Sequence, residues 1–183
     1  MDVTNRKIIF LDVDGVLATP KSIHAYAQEH GGHCPPGAAQ LDPECCAVLN
    51  KIVEKLNALV VISSTWRKND NDLAGLIRFL SHFTIPIIGT TPLMSISDGR
   101  TTLGRQFEIM TWCHDRHVHP DNMLVIDDDS EDLTAYHDRL LQTNGSIGLQ
   151  EEDIDLAVEI ANRKSEYHMG DEALKKSWWQ FWK

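Results

Sequence analysis

Residues 8–16 read IIFLDVDGV, and this stretch decides the fold. Four consecutive apolar residues predict a strand that is buried on both faces, because a half-exposed strand would alternate apolar and polar residues. Asp12 and Asp14 follow it, and residues two apart on an extended chain point to the same side. Two neighbouring carboxylates repel each other unless a cation or a proton lies nearby. Since ligands of open α/β sheets bind at the carboxyl ends of strands, the stretch marks a candidate site.

The same pattern continues along the 183-residue chain. Apolar runs predict further strands at 59–62, 85–88, 123–126 and 140–143, and Gly89 is expected to end the third strand of the five. Helical spacing of apolar residues predicts helices at 43–57, 70–82, 104–114 and 151–162. The helix at 70–82 is expected to bury its apolar residues, which are Leu73, Leu76, Ile77 and Leu80. Alternating helices and continuously apolar strands predict an α/β fold with a mainly parallel sheet.

Residues 1–162 are predicted to form one domain. Proline and glycine punctuate residues 18–41, which predicts a flap or small cap insertion above the end of the first strand, with a short helix near 23–29. Residues 163–183 form a tail that ends in an aromatic cluster of Trp178, Trp179, Phe181 and Trp182. We expect these rings to dock onto the domain, or to contact another protein or a second copy in a homodimer.

The composition of the chain disfavours nucleic acids and membranes as non-specific partners. The formal net charge of -10 disfavours non-specific binding to nucleic acid or to an anionic membrane. No apolar run approaches the roughly 20 residues that span a bilayer, and residues 1–7 carry no apolar signal core. The four cysteines lack a regular spacing, which is typical of reduced thiols. We therefore expect a cytoplasmic protein that does not contact a membrane.

Polar clusters follow three of the predicted strands. Asp12 and Asp14 follow the first, residues 63–65 (SST) the second, and residues 127–129 (DDD) the fourth. Because parallel strands end at one edge of a sheet, these clusters are expected to meet in one cleft. Carboxylates this close repel one another unless a hard divalent cation neutralises them, and oxygen ligands favour magnesium (Mg2+). Together with a hydroxyl and a basic side chain, magnesium can hold a phosphoryl group.

These residues resemble a known family. DVDGV at 12–16 resembles the DxDG[VT] motif of the haloacid dehalogenase (HAD) superfamily, Ser63 its Ser/Thr motif, and Asp127-Asp128 its acidic pair. SSTWR at 63–67, RQFEI at 105–109 and the Gly148-Leu149 pair resemble a narrower group of small HAD domains with little or no cap, some of which are linked to RNA-repair proteins. The resemblance implies a three-layer α/β/α Rossmann-like fold.

The resemblance further implies a magnesium-dependent phosphatase that forms an aspartyl-phosphate. Asp12 would be the nucleophile, and Asp14 the acid that protonates the leaving oxygen and then activates water. Magnesium would be bound by the Asp12 carboxylate, the Asp14 backbone carbonyl, and Asp127 or Asp128. The substrate would be phosphorylated.

Phosphate-binding residues are less clearly marked. The resemblance gives Ser63 a hydrogen bond to a phosphoryl oxygen, with Ser64 as its substitute. No obvious lysine precedes the fourth strand, where the family carries its basic residue, so Arg105 is the candidate and Arg67 and Arg100 are the alternatives. Trp66 is expected to pack in the core rather than to stack on substrate.

Several functional alternatives stay open. A site without a large cap admits a nucleotide, a nucleic-acid end or a phosphoprotein, whereas a lid formed by residues 18–41 would favour a small metabolite. The domain could instead be a non-catalytic binding or regulatory module that engages a partner through the aromatic tail. It could also be a phosphotransferase that hands the phosphoryl group to an alcohol.

Overall fold

A computed structural model of the protein describes residues 3, 6–94 and 104–164. It contains a five-stranded parallel sheet in the order β3-β2-β1-β4-β5. The strands are β1 (Ile8–Leu11), β2 (Leu59–Ile62), β3 (Ile87–Thr90), β4 (Met123–Asp127) and β5 (Leu140–Gln142). The helices are α1 (Pro20–Glu29), α2 (Pro43–Leu56), α3 (Asp70–Ser81), α4 (Arg105–Arg116) and α5 (Asp153–Asn162). Short 3-10 helices lie at Ala38–Gln40, Thr65–Lys68, Pro120–Asn122 and Glu131–Tyr136.

The register of the three central strands brings their ends together. Leu11, the last residue of β1, pairs with Ile62 of β2 and Ile126 of β4. Asp12 N donates to Ile126 O at 3.0 Å and Ser63 N donates to Leu11 O at 2.8 Å, so the pairing continues one residue beyond β1 and β2. The polar clusters that follow these strands therefore start side by side, as the parallel arrangement predicted.

The sheet is covered on both faces, which confirms the predicted three-layer α/β/α architecture. Ile9 and Leu11 point into a core cluster shared with α2, α3 and α5. Ile8 and Phe10 point to the opposite face, where Phe10 meets Trp112 of α4 edge to face with ring centroids 5.4 Å apart. Strands enclosed on both faces are continuously apolar, and all four residues of β1 are fully buried.

The third strand lies later in the chain than predicted. It runs from Ile87 to Thr90 rather than over 85–88, and Gly89 pairs with Val61 inside the strand instead of ending it. The register shifts between Val60 and Val61, and Gly89 accommodates the irregularity with a φ of 151°, a conformation that side chains disfavour.

Helix α3 buries fewer apolar residues than predicted. Leu76 and Leu80 are fully buried and Leu73 is half-buried, but Ile77 is 41% exposed. The buried stripe of α3 follows Gly75, Leu76 and Leu80, and it leaves Ile77 facing outward. The prediction that Ile77 is part of the core was wrong.

Some predictions concern residues outside the described ranges. The aromatic residues of the tail and Arg100 are among them. Within segment 18–41, α1 begins at Pro20 behind a capping box formed by Thr19 and Ser22, earlier than the helix predicted there. None of the helices in the described ranges has the length and hydrophobicity that a membrane span requires.

Asp42 ties the start of α2 to the segment that follows β1. Its carboxylate accepts from Glu44 N at 2.8 Å and its own N donates to Leu17 O at 2.7 Å. We expect Asp42→Ala to lower the free energy of unfolding by about 1 kcal/mol, because the N-cap bond is lost. Urea unfolding midpoints would measure this. Asp42→Asn retains a capping oxygen and is expected to stay near the wild type; an equal loss in both variants would mean that the cap is not the cause.

Candidate active site

Asp12 lies at the centre of the polar edge of the sheet. It is buried, and its Oδ2 is 2.9 Å from Nη1 of Arg105. Its Oδ1 is buried as well, and within the described residues it has no hydrogen-bond partner. A buried charged oxygen without a partner is costly, and native structures rarely keep one without reason. This atom is therefore a position where a further ligand is expected.

Arg105 is the first residue of α4 and contacts two carboxylates. Besides Asp12, its Nη1 donates to Oδ2 of Asp127. Burial disfavours the charged guanidinium, but the charges of Asp12 and Asp127 outweigh burial and raise the pKa of Arg105. The arginine therefore stays cationic beside Asp12, at the position that the sequence favoured for the basic residue.

Two members of the acidic run join Asp12. Asp12, Asp127 and Asp128 each offer an oxygen within 4.8 Å of the others. Burial, followed by the charge of Asp12, raises the pKa of Asp127 to about 6, and the same two causes raise the pKa of Asp128. Asp129 instead accepts from Glu131 N at 2.8 Å and is exposed. Three carboxylates beside one arginine leave excess negative charge, and their oxygens, including the partnerless Oδ1 of Asp12, fit a hard cation such as Mg2+.

Asp128 is closely surrounded by glycines. A Cβ at Gly15, which has a φ of 71°, would overlap the Asp128 carboxylate, and so would a Cβ at Gly145. Thr143 Oγ1 donates to Gly15 O at 2.9 Å and Gln142 Nε2 donates to Asp128 O at 3.0 Å. The DG pair of the motif therefore needs glycine for space as well as for its backbone conformation. The sequence did not identify Gly145, Gln142 or Thr143 as neighbours of the site.

Asp14 stands apart from the carboxylate cluster. Its side chain is partly exposed, and its Oδ1 accepts a hydrogen bond from Nε1 of Trp66 at 2.9 Å. Partial burial of the carboxyl raises the pKa of Asp14, the Trp66 bond opposes this, and the charge of Asp12 raises it further. The net effect is a raised pKa, so Asp14 loses its proton less readily than an ordinary aspartic acid does.

The SSTWR segment separates the candidate phosphate ligands. Ser63 Oγ is buried and has no partner within the described residues. Ser64 Oγ accepts from Trp66 N at 3.3 Å, and Ser64 O accepts from Arg67. The Arg67 guanidinium also pairs with Glu108, and both side chains are buried. Ser63 Oγ therefore has unused hydrogen-bonding capacity, whereas Ser64 and Arg67 are engaged in contacts within the protein.

Sequence reasoning missed two residues that support the site. Trp66 was expected only to pack, and its bond to Asp14 joins residues 52 positions apart, which no local pattern reveals. Glu108 lies three residues after Arg105 on α4, a spacing that places both on one face of the helix. That spacing marks Glu108 as a neighbour of Arg105, but its ion pair with Arg67 required the fold.

Comparison with known proteins gives the family. Residues 8–154 match the family described as the HAD domain in Swiss Army Knife RNA repair proteins, and the chain belongs to that family. This confirms the resemblance seen in the motifs. Among solved structures, the chain is similar to a HAD-family hydrolase from Streptomyces avermitilis MA-4680, with 13% identity, 92% of this chain and 94% of that chain covered, and a TM-score of 0.42. No curated protein matches the chain.

The raised pKa of Asp127 gives a stability prediction. Because the folded-state pKa of about 6 exceeds the ordinary value of 3.8, the folded protein binds more protons, and without metal its stability falls as pH rises between these values. At pH 7.5 in EDTA, we expect Asp127→Asn to be more stable than the wild type by about 1–2 kcal/mol, since a buried charge is removed. Adding magnesium should raise the melting temperature of the wild type and leave that of the variant nearly unchanged.

Asp129→Asn is the matched control for this experiment, because it makes the same change on an exposed neighbour outside the cluster. We expect the control to respond to magnesium as the wild type does. A destabilised Asp127→Asn in EDTA would contradict the assignment of excess negative charge to the cluster.

The Arg67–Glu108 pair gives a second stability prediction. Burial lowers the pKa of Arg67 although Glu108 opposes the shift, so the pair holds a costly charge inside the protein. Glu108→Gln leaves that charge without its counter-charge, and we expect it to cost about 3 kcal/mol. The double variant Arg67→Met, Glu108→Leu should lose less free energy of unfolding than the sum of the losses in the single variants Arg67→Met and Glu108→Leu. Additive losses in urea unfolding would contradict this coupling.

Proposed function

We propose that this protein is a magnesium-dependent phosphatase that hydrolyses a phosphomonoester through an aspartyl-phosphate on Asp12. The observation that carries the proposal is the environment of Asp12. Its Oδ2 contacts Arg105, whereas its Oδ1 is buried without a partner beside the carboxylates of Asp127 and Asp128. A nucleophilic carboxylate needs this combination of a charge partner and an open coordination position. Membership of the HAD family supports the same chemistry.

Magnesium would be held by Asp12, Asp127 and Asp128 together with the backbone carbonyl of Asp14. When bound, the ion would offset the carboxylate charge and polarise a phosphoryl oxygen. The protein's own residues supply the remaining features. Arg105 is fixed on Asp12 and Asp127, so its charge is in place before substrate arrives. Such preorganised charge costs no rearrangement during the reaction.

The reaction would proceed in two steps. In the first, a carboxylate oxygen of Asp12 attacks phosphorus, the bond to the leaving oxygen breaks, and that oxygen takes a proton from Asp14. In the second, Asp14 removes a proton from water, the water oxygen attacks phosphorus, and the bond to Asp12 breaks to release inorganic phosphate. Ser63 Oγ and Arg105 would hold the phosphoryl oxygens in both steps.

The substrate we favour is a nucleotide or a phosphorylated nucleic-acid end. The family is described by its occurrence in RNA repair proteins, which supports a nucleic-acid-related phosphoester. The negative charge of the protein limits the length of a nucleic-acid substrate. Asp129, Glu131 and Asp132 are exposed in the segment that follows β4, and the net charge is -10, so a long polyanion would be repelled. A single nucleotide or a short end fits better.

The binding-module alternative is less well supported by the site. A scaffold without activity has no use for a proton-donating acid, yet Asp14 is present and held by a buried tryptophan. A phosphotransferase would use the same first step and differ only in the acceptor of the second. An added alcohol acceptor and analysis of its phosphorylated product would distinguish transfer from hydrolysis.

Phosphate release tests the proposal directly. The panel would contain p-nitrophenyl phosphate, nucleotides and oligonucleotides phosphorylated at the 5' or 3' end, each with magnesium or with EDTA. We expect release from the wild type with magnesium, and loss of at least about a thousandfold in EDTA and in Asp12→Asn, because the nucleophile or its cation is removed. Asp129→Asn should retain activity.

Two results would contradict the proposal. Release that persists in EDTA or in Asp12→Asn would exclude this mechanism. A wild type that binds magnesium but releases no phosphate from any member of the panel would favour the binding module.

A further inference from the structure

We propose that Trp66 is a positioning residue that fixes the Asp14 carboxyl, so that Oδ1 accepts the indole N–H and Oδ2 is the oxygen that gives and takes the proton. The 2.9 Å bond from Nε1 of Trp66 to Oδ1 carries the inference. The catalytic part of this inference rests on the proposed phosphatase function, whereas the geometric part stands without it.

The donor is held rigidly. Trp66 is 8% exposed and belongs to the core cluster on the α2 and α3 side of the sheet. Its N donates to Ser64 Oγ at 3.3 Å, and its O accepts from Asn69 N at 3.2 Å. A large ring packed in a core cannot change rotamer without displacing its neighbours. The direction of its N–H is therefore set by the fold.

The acceptor side chain lacks comparable support. The backbone around Asp14 is fixed, because Val13 O accepts from Leu17 N at 2.8 Å and Ala18 N at 2.9 Å, and Gly15 N donates to Ala18 O at 2.8 Å. Asp14 itself is exposed. Without a fixed donor it could take several rotamers, and only some of these would face a leaving oxygen.

The chemistry of indole distinguishes the two oxygens of Asp14. Indole Nε1–H can only donate, so the oxygen that it contacts must act as an acceptor. When Asp14 is neutral, its carbonyl oxygen is a stronger acceptor than its hydroxyl oxygen, so the indole bond to Oδ1 favours the proton on Oδ2. The same oxygen would protonate the leaving group in the first step and accept the proton from water in the second. Trp66 would contact no substrate, and it would act through Asp14 alone.

An NMR experiment tests the geometry without requiring activity. Protein labelled with 15N-tryptophan gives one indole N–H signal for each tryptophan side chain, and Trp66→Phe assigns the Trp66 signal by its absence. Asp14→Ala removes the acceptor, so we expect the Trp66 signal to move upfield and to lose protection from exchange. Asp14→Asn keeps an acceptor oxygen and should leave the signal nearly in place. An unchanged signal in Asp14→Ala would overturn the proposal.

Leaving-group dependence tests the catalytic part. A poor leaving group needs its proton in the transition state, whereas p-nitrophenolate hardly does. Trp66→Phe keeps the buried ring and loses the donor. We expect it to lower kcat/KM on an alkyl phosphate by about 10- to 100-fold and on p-nitrophenyl phosphate by less than about threefold. The ratio kcat/KM is used because it reports only the steps up to departure of the leaving group, and not the hydrolysis of the aspartyl-phosphate that both substrates share.

The two measurements separate the possible failures. An equal loss of kcat/KM on both substrates would show that Trp66 only supports the fold, and no loss of kcat/KM on either would show that it does not orient the acid; both results overturn the catalytic part. A wild type that cleaves no phosphomonoester contradicts the proposed function instead. The indole signal would then still decide whether Trp66 holds Asp14.

Discussion

Repulsion among carboxylates at one edge of the sheet is the constraint on which the rest of the site depends. Strand register brings the end of β1 next to the end of β4, so Asp12, Asp127 and Asp128 cannot avoid one another. Like charges at this range destabilise the folded chain unless cations offset them. Arg105 offsets part of the charge, which requires the first turn of α4 to lie against the ends of both strands. The remaining charge and the partnerless Oδ1 of Asp12 define where a metal ion would bind.

The five residues after β2 connect this edge to its surroundings. Ser63 presents a hydroxyl without a partner, Ser64 caps the 3-10 helix that follows, and Trp66 reaches back to Asp14. Arg67 extends the other way to Glu108 on α4, one turn from the arginine that contacts Asp12. One short segment therefore contacts both Asp14, in the turn after β1, and α4, the helix that carries Arg105.

The sequence predicted those features of the fold and the site that follow from the order of the strands. It did not predict those that depend on contacts between side chains or between neighbouring strands. Parallel strands that end in polar residues predicted the fold and the convergence of Asp12 with Asp127, because strand geometry alone dictates both. The choice between Ser63 and Ser64 depended on which hydroxyl is consumed by a cap, which the sequence could not show. The bounds of β3 depended on a register shift against β2, a property of the pair of strands rather than of either segment.

The use of arginine instead of lysine at position 105 also follows from the charge constraint. Asp12 and Asp127 both contact the same nitrogen, Nη1, so one corner of the guanidinium serves two carboxylates. The other nitrogens of the planar group are not required by those contacts, and a phosphoryl oxygen can be bound through them without releasing the carboxylates. A lysine would have to divide a single ammonium nitrogen among all three acceptors. The second arginine, Arg67, is paired with Glu108. This pairing keeps Arg67 from competing with Arg105 for the carboxylates of Asp12 and Asp127.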